Sequence, residues 1–304
     1  MEIYLPIAEM SVHWLVVLGM GGAVGFLSGM FGVGGGFLLT PLLMFYGIPP
    51  SVAVATTASH ITASSTAGAL AQWRHRAVDF KMGGIMIAGG LVGSFAGVWL
   101  FGILRRAGQI ELLVSGGYVI LLGTVGGLML NESVRTLTAE RSGITTRKTR
   151  HHNWIHGLPL KVRFRESRLF ISVIPPVVIG FFVGVLSSLM GVGGGFVLVP
   201  AMIYLLRMPT KIVMGTSLFQ IVFVAAASTI LHSVNDFTVD IVLAFILIIG
   251  GAVGAQFGVR AAARLRGEQL RLLMAILVLA VGARLFYGLV APPSDPFSVA
   301  VGMP

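Results

Sequence analysis

Long apolar runs separated by short polar gaps organise this chain. Eight runs approach the roughly 20 apolar residues that a helix needs to cross about 30 Å of hydrocarbon. They are 12–31, 51–72, 82–102, 111–130, 171–190, 211–231, 240–260 and 270–290, and each is predicted to be a transmembrane helix. Two further runs, 36–48 and 195–206, are shorter and follow glycine clusters. At that length a segment fits either a re-entrant half-helix or a short tilted span. Residues 131–170 are the one long polar connection, with nine Lys or Arg against three Glu. The expected division is an N-terminal transmembrane repeat (1–130), a basic loop (131–170) and a C-terminal transmembrane repeat (171–304).

The two halves repeat each other. Met30-Phe31-Gly32-Val33-Gly34-Gly35-Gly36-Phe37 returns 159 residues later as Leu189-Met190-Gly191-Val192-Gly193-Gly194-Gly195-Phe196. At that offset Pro41 matches Pro200, Pro50 matches Pro209, and Thr57 matches Thr216. Further on, the stretch from His75 to Asp79-Phe80 echoes that from His232 to Asp236-Phe237, and Gly89-Gly90-x-x-Gly93 echoes Gly250-Gly251-x-x-Gly254. An ordered series of this length points to gene duplication.

Charge selects a topology. If both short runs cross, each half has five spans. A cytoplasmic 131–170 loop then puts 18 of the 21 Lys and Arg inside and only Arg105 and Arg106 outside, with Arg284 within a span. If the short runs are re-entrant, 12 fall inside and 8 outside. The positive-inside rule favours ten segments with both termini outside. Five spans per half invert the second repeat relative to the first, the usual build of secondary transporters. The expected fold is an all-α polytopic membrane protein of two five-segment inverted repeats with glycine-broken helices.

Composition agrees. Hydrophobic residues make up 56% of the 304 and charged ones 11%, and mean hydropathy is +0.92. Soluble domains carry about 25% charged residues, so here lipid must replace water over much of the surface. The net charge of +10 sits in gaps between spans, which argues against a nucleic-acid partner and toward lipid headgroups. The absence of cysteine excludes disulfides and thiolate chemistry. Glu2 and Glu9, with no Lys or Arg before the first run, do not make a basic signal-peptide n-region, so 12–30 is expected to be a retained span.

The glycine clusters carry the sharpest chemistry. Four glycines in five positions weaken a helix by roughly 1 kcal/mol each relative to Ala. A half-helix restarting after the break would aim free N–H groups and a positive dipole end at an anion. The candidate backbone donors are Gly34, Gly35 and Gly36 with Gly193, Gly194 and Gly195. The clusters also fit a plainer role, as close helix crossings. Thr57, Ser59 and His60, with Thr216, Ser217 and Gln220, place hydroxyls, an imidazole and an amide inside apolar spans. Such hydroxyls either face a ligand or bond to their own helix. His60 fits a proton carrier or a packing histidine, and its repeat counterpart at offset 159 is Phe219. Arg284 is expected to snorkel. His151, His152 and His156 read as solvated loop residues. All eleven carboxylates lie in loops, tails or span ends, which disfavours a metal transporter or a carboxylate relay. With no catalytic constellation inside a span, neither enzyme activity nor a metal or cofactor is expected.

These residues make the chain resemble the sulfite exporter TauE/SafE family of membrane permeases. The resemblance rests on Gly32-Val-Gly-Gly-Gly36-Phe37 with Pro41, on Gly191-Val-Gly-Gly-Gly195-Phe196 with Pro200, and on Gly215-Thr216-Ser217, Asn235-Asp236 and Gly250-Gly251-x-x-Gly254. It implies movement of sulfite, sulfonates or related organosulfur anions across a bacterial inner membrane. The sequence departs from the family in Ala55-Thr56-Thr57, and in a central loop that is long and basic. The expected function is a secondary transporter with a small anionic substrate. An anion channel of the same fold and a non-transporting scaffold or sensor are the alternatives, and a homodimer is compatible with any of them.

Overall fold

The computed structural model describes residues 2–31, 34–74, 76–141, 159–164, 166–167, 169–262 and 267–290. The first half contains β1 (Glu2–Leu5), β2 (Met10–His13), α1 (Trp14–Phe31), α2 (Gly36–Phe45), α3 (Pro50–Arg74), α4 (Phe80–Arg106) and α5 (Ile110–Arg141). The second contains β3 (Lys161–Phe164), β4 (Leu169–Ser172), α6 (Ile174–Met190), α7 (Gly195–Tyr204), α8 (Thr210–Asn235), α9 (Ile241–Ala262) and α10 (Gly267–Val290).

The chain is mostly helical, but the all-α expectation needs correction. Each half opens on a short antiparallel hairpin, Glu2 pairing with His13 and Lys161 with Ser172. Four-residue strands are too short to stand out as an alternating pattern, and the charges in Lys161-Val-Arg-Phe164 read as loop. The run predicted as 171–190 is therefore strand through Ser172 and helix only from Ile174, with two prolines in its first turn. The polar connection is also shorter than its composition suggests, because α5 continues to Arg141 and the second hairpin begins at Lys161.

Among the described residues five helices are long and apolar enough to cross a membrane: Phe80–Arg106, Ile110–Asn131, Ile212–Asn235, Ile241–Gly258 and Leu272–Val290. Trp14–Met30 and Ile174–Met190 are apolar but slightly shorter. Helix α3 has the length, at 25 residues, but is diluted by Thr, Ser and His. Helices α2 and α7 have ten residues each, about 15 Å, or half the hydrocarbon thickness.

Packing between the halves is reciprocal. Helix α1 packs on α9 and α6 on α4, while α3 packs on α8 and α5 on α10. In the first seam Gly21, Gly25 and Gly29 lie against Leu247, Gly251 and Ala255. In the second, Gly89, Gly93 and Gly97 lie against Val177, Phe181 and Val185. Both residue series ascend together, so both pairs run parallel. A Cβ at Gly25 or Gly93 would strike the facing backbone, the small-residue contact that lets membrane helices approach closely. Helices α5 and α10 run antiparallel, with Gly126 against Val278 and Gly282 against Leu122. Large apolar side chains point outward, among them Phe95, Trp99, Ile120, Leu128 and Phe245. Such a surface requires an apolar surround.

Candidate functional site

Both glycine clusters break their helices. Gly34 and Gly35 have φ of 89° and 66°, and Gly191, Gly193 and Gly194 lie between 68° and 73°. This left-handed region disfavours any residue with a Cβ. Gly32 and Val33 lie outside the described residues. Gly35 and Gly194 are the N-caps of α2 and α7, and neither offers a side-chain acceptor. At α7 the N–H groups of Val197 and Leu198 return to the Gly194 carbonyl. Those of Gly195 and Phe196 have no partner among the described residues.

The two restarting helices face each other. Phe37 and Phe196, each the second residue of its helix, stack with centroids 4.5 Å apart and planes 15° from parallel. Ile61 of α3 fills the space between Gly36 and Gly193, and Ser65 Oγ lies 3.6 Å from where a Cβ on Gly34 would be. Gly35 and Gly194 turn their α-carbons toward α1 and α6, against Ser28 and Val183. The end of α6 is held in place, because the Tyr118 hydroxyl donates to the Met190 carbonyl at 2.8 Å. Thr40 Oγ1 donates to the Gly191 carbonyl at 3.5 Å.

The polar residues of α3 and α8 pair in a different register from the one that sequence matching suggests. Pro49 accepts the first-turn bond of α3 and Pro209 that of α8, an offset of 160. The linker between α7 and α8 is one residue longer than that between α2 and α3. Thr56 therefore corresponds to Thr216, Thr57 to Ser217, and His60 to Gln220. Two contacts verify this. His60 lies against Gly251 of α9, and Gln220 Nε2 lies 2.9 Å from a Cβ built on Gly90 of α4. His60 is thus part of the duplicated core, with an amide rather than Phe219 as its counterpart. A second one-residue shift makes Asp240, not Asp236, the equivalent of Asp79. Asp79 caps α4 through the Met82 N–H and Asp240 caps α9 through the Leu243 N–H, each at 3.0 Å.

These aspartates tie the halves together. The Asp79 N–H donates to Thr216 Oγ1 at 3.0 Å, and the Asp240 N–H donates to Thr56 Oγ1 at 3.1 Å. The turn of the second hairpin reaches Asp79 through Ser167, whose N–H and hydroxyl both donate to Oδ2. The turn of the first reaches Asp240 through the Ile7 N–H. Thr56, Asp79 and Asp240 were not among the sequence candidates, because Asp at a span end reads as an ordinary cap.

Several predicted site atoms are buried with no partner among the described residues. They are Thr57 Oγ1, His60 Nε2 and both polar atoms of Gln220, joined by Ser65, Ser188 and Ser228, which the sequence reading missed. A buried amide or hydroxyl left unpaired costs about 1–3 kcal/mol, so each is poised to bond a ligand or water. His60 Nδ1 lies 3.0 Å from the Leu247 carbonyl. A carbonyl only accepts, so Nδ1 carries the hydrogen and Nε2 is the unengaged atom. Ser217 is committed to its own helix, donating to the Met214 carbonyl at 3.1 Å, and Ser59 is only half-buried. Thr216 spends an acceptor position on Asp79. Arg284 stands over the Phe45 ring at 5.3 Å, away from the breaks. His151, His152 and His156 lie outside the described residues.

Ile61 and Ser65 of α3 stand against the two helix breaks, while His60 lies against Gly251 of α9 and Gln220 against Gly90 of α4. Comparison with known proteins agrees with a membrane transporter. Residues 17–285 match the sulfite exporter TauE/SafE family. A probable membrane transporter protein of Xylella fastidiosa (strain 9a5c) is 31% identical over 283 residues, 90% of this chain and 95% of the relative. The probable membrane transporter protein YunE of Bacillus subtilis is 27% identical over 286 residues, 91% and 98% of the two chains. No solved structure matches. Spanning nearly the whole chain at these identities, the match places the protein in the sulfite exporter TauE/SafE family of membrane transporters.

Proposed function

We propose that the protein is a secondary transporter for sulfite, a sulfonate or a related small organosulfur anion, working by alternating access in a bacterial inner membrane. The observation that carries this reading is the meeting of the α2 and α7 N-termini at the Phe37–Phe196 stack, with the Ser65 hydroxyl, buried and without a partner among the described residues, next to Gly34. Two helix dipoles and neutral donors attract an oxyanion without binding it too tightly to release. Candidate contacts are the backbone of Gly34, Gly35 and Gly36 and of Gly193, Gly194 and Gly195, with Thr57, Gln220, His60 and Ser65. Thr216 and Ser217 act one step removed, by fixing α8.

The ten-segment inverted repeat is part of the same proposal. Its support is directional. Halves of four crossings would leave α5 and α10 parallel, whereas halves of five make them antiparallel, as their contacts are. The reciprocal α1–α9 and α4–α6 packing is what exchange of the halves about a two-fold axis generates. In this topology the basic 142–158 segment is cytoplasmic and the two hairpins lie on opposite membrane faces.

The test is uptake of radiolabelled sulfite into proteoliposomes, competed by taurine and sulfoacetate. A carrier gives saturable uptake and counterflow against internal unlabelled sulfite. Current without counterflow favours a channel, and no flux from folded protein removes the substrate class.

A further inference from the structure

The last turns of α8 hold a second buried polar group, distinct from the anion site. His232 is fully buried, with its ring edge-on to Phe101 of α4 at 4.6 Å. Its Nε2 lies 2.9 Å from the Ser188 carbonyl, and its Nδ1 lies 2.9 Å from Asp236 Oδ2. A carbonyl can only accept, so Nε2 carries a hydrogen. A carboxylate also only accepts, so a second hydrogen lies between Nδ1 and Oδ2. The pair therefore holds two protons, one of which no neighbouring group supplies. Removing it sets two lone pairs against each other at 2.9 Å and breaks the contact.

Asp236 is the exposed end of the pair. Its side chain is 9% exposed and lines a cleft of about 310 Å³ with Arg106, Asn235, Trp99 and Leu231. Besides Asp236 on α8, the charged groups facing the pair among the described residues come from α4. Arg105 donates to the Asp236 carbonyl at 2.7 Å, and Arg106 borders the cleft. From α6 the Ser188 carbonyl faces it.

We propose that His232 and Asp236 form the binding site of a coupling proton, entering through the α4–α8 cleft. The proton arrives at the Asp236 carboxylate and passes to His232 Nδ1, giving imidazolium and carboxylate. The imidazolium sits at the C-terminal end of α6, where a cation is favoured by the helix dipole. It holds the Ser188 carbonyl three residues before the Gly191 break, whose continuation is α7. Proton and anion thus stabilise the same ordered end of α6 and the start of α7, and by linkage each strengthens the other's binding. The repeat counterpart of His232 is Gln72, so the site exists in one half only. This proposal rests on the carrier reading for its role in transport, while the proton site itself is testable without it.

The experiment has two arms. In protein carrying 15N-histidine in lipid bilayers, the His232 resonances are those that vanish in His232→Gln. A hydrogen on each ring nitrogen, with the Nδ1 resonance displaced in Asp236→Asn, is expected. A neutral ring throughout the acid and neutral range overturns the site. In proteoliposomes, an inward proton gradient is expected to accelerate wild-type uptake of radiolabelled sulfite. In His232→Gln, which still donates to the Ser188 carbonyl, and in Asp236→Asn, that acceleration falls at least tenfold while sulfite counterflow falls much less. Acceleration that persists in both variants, or is absent in the wild type alongside counterflow, overturns the coupling role. Absence of all sulfite flux in the wild type refutes the carrier reading instead, and the nitrogen spectra then decide the proton site.

Discussion

Thr56 and Thr216 make the same bond in opposite senses, each hydroxyl accepting the N–H of the aspartate that caps a helix in the other half. Each threonine is followed by a second hydroxyl residue, Thr57 or Ser217, and stands one turn before His60 or Gln220. The hairpin turns complete both joints. Closure between the halves and the position of the site are therefore linked at two symmetric points. Thr56→Val and Thr216→Val are expected to destabilise by about 1 kcal/mol each, the net worth of one hydrogen bond. Asp79→Ala and Asp240→Ala, which remove a cap and leave other donors unpaired, cost about 2–5 kcal/mol. Thr57→Val costs nothing, because its hydroxyl has no protein partner. Thermal unfolding in detergent checks all five; unequal losses at the two threonines count against the symmetry.

Gly90 and Gly251 give room to Gln220 and His60. Gly251→Ala places a methyl group inside the imidazole, and Gly90→Ala crowds the amide. Both are expected to lower sulfite flux at least tenfold in protein that still inserts. Gly84→Ala, with open space at its α-carbon, serves as the control and leaves flux unchanged.

Valine at the helix breaks is a harsher change. At Gly35 and Gly194 it adds a Cβ to a left-handed residue and drives it into Ser28 or Val183. Gly35→Val and Gly194→Val are each expected to abolish flux while membrane insertion, read by fractionation, persists. Full flux in both would remove the half-helix donors from the mechanism.

The basic connection calls for a test that spares the hairpin, because Phe164 of β3 is fully buried and belongs to the core. Replacing residues 142–158 by a Gly-Ser linker of equal length is expected to preserve sulfite flux. Loss of flux would favour a regulatory or partner-binding function for that segment.

Much of this was legible in the sequence. Apolar runs located the helices because burial in lipid leaves little freedom in composition, and the glycine clusters announced the breaks that the φ values display. The repeat was visible and the Gly89–Gly250 match was in register, but the register slipped by one residue at Thr57 and by four at Asp79. Identical letters, Thr57 with Thr216 and Asp79 with Asp236, aligned more readily than residues sharing a contact. Single-residue differences in linker length carry no hydrophobic signal. The hairpins were too short to show a period. The Asp–Thr joints depend on contacts more than 130 residues apart, which no local pattern encodes.

The central claim is an anion site between the two broken helices, lined by donors that have no protein partner. Equilibrium binding of radiolabelled sulfite to the purified wild type, Thr57→Val and Gln220→Leu tests it most directly, since neither substitution removes a bond within the protein. Saturable binding to the wild type, weakened at least tenfold in each variant without loss of stability, is expected. Undiminished affinity in both variants would contradict it.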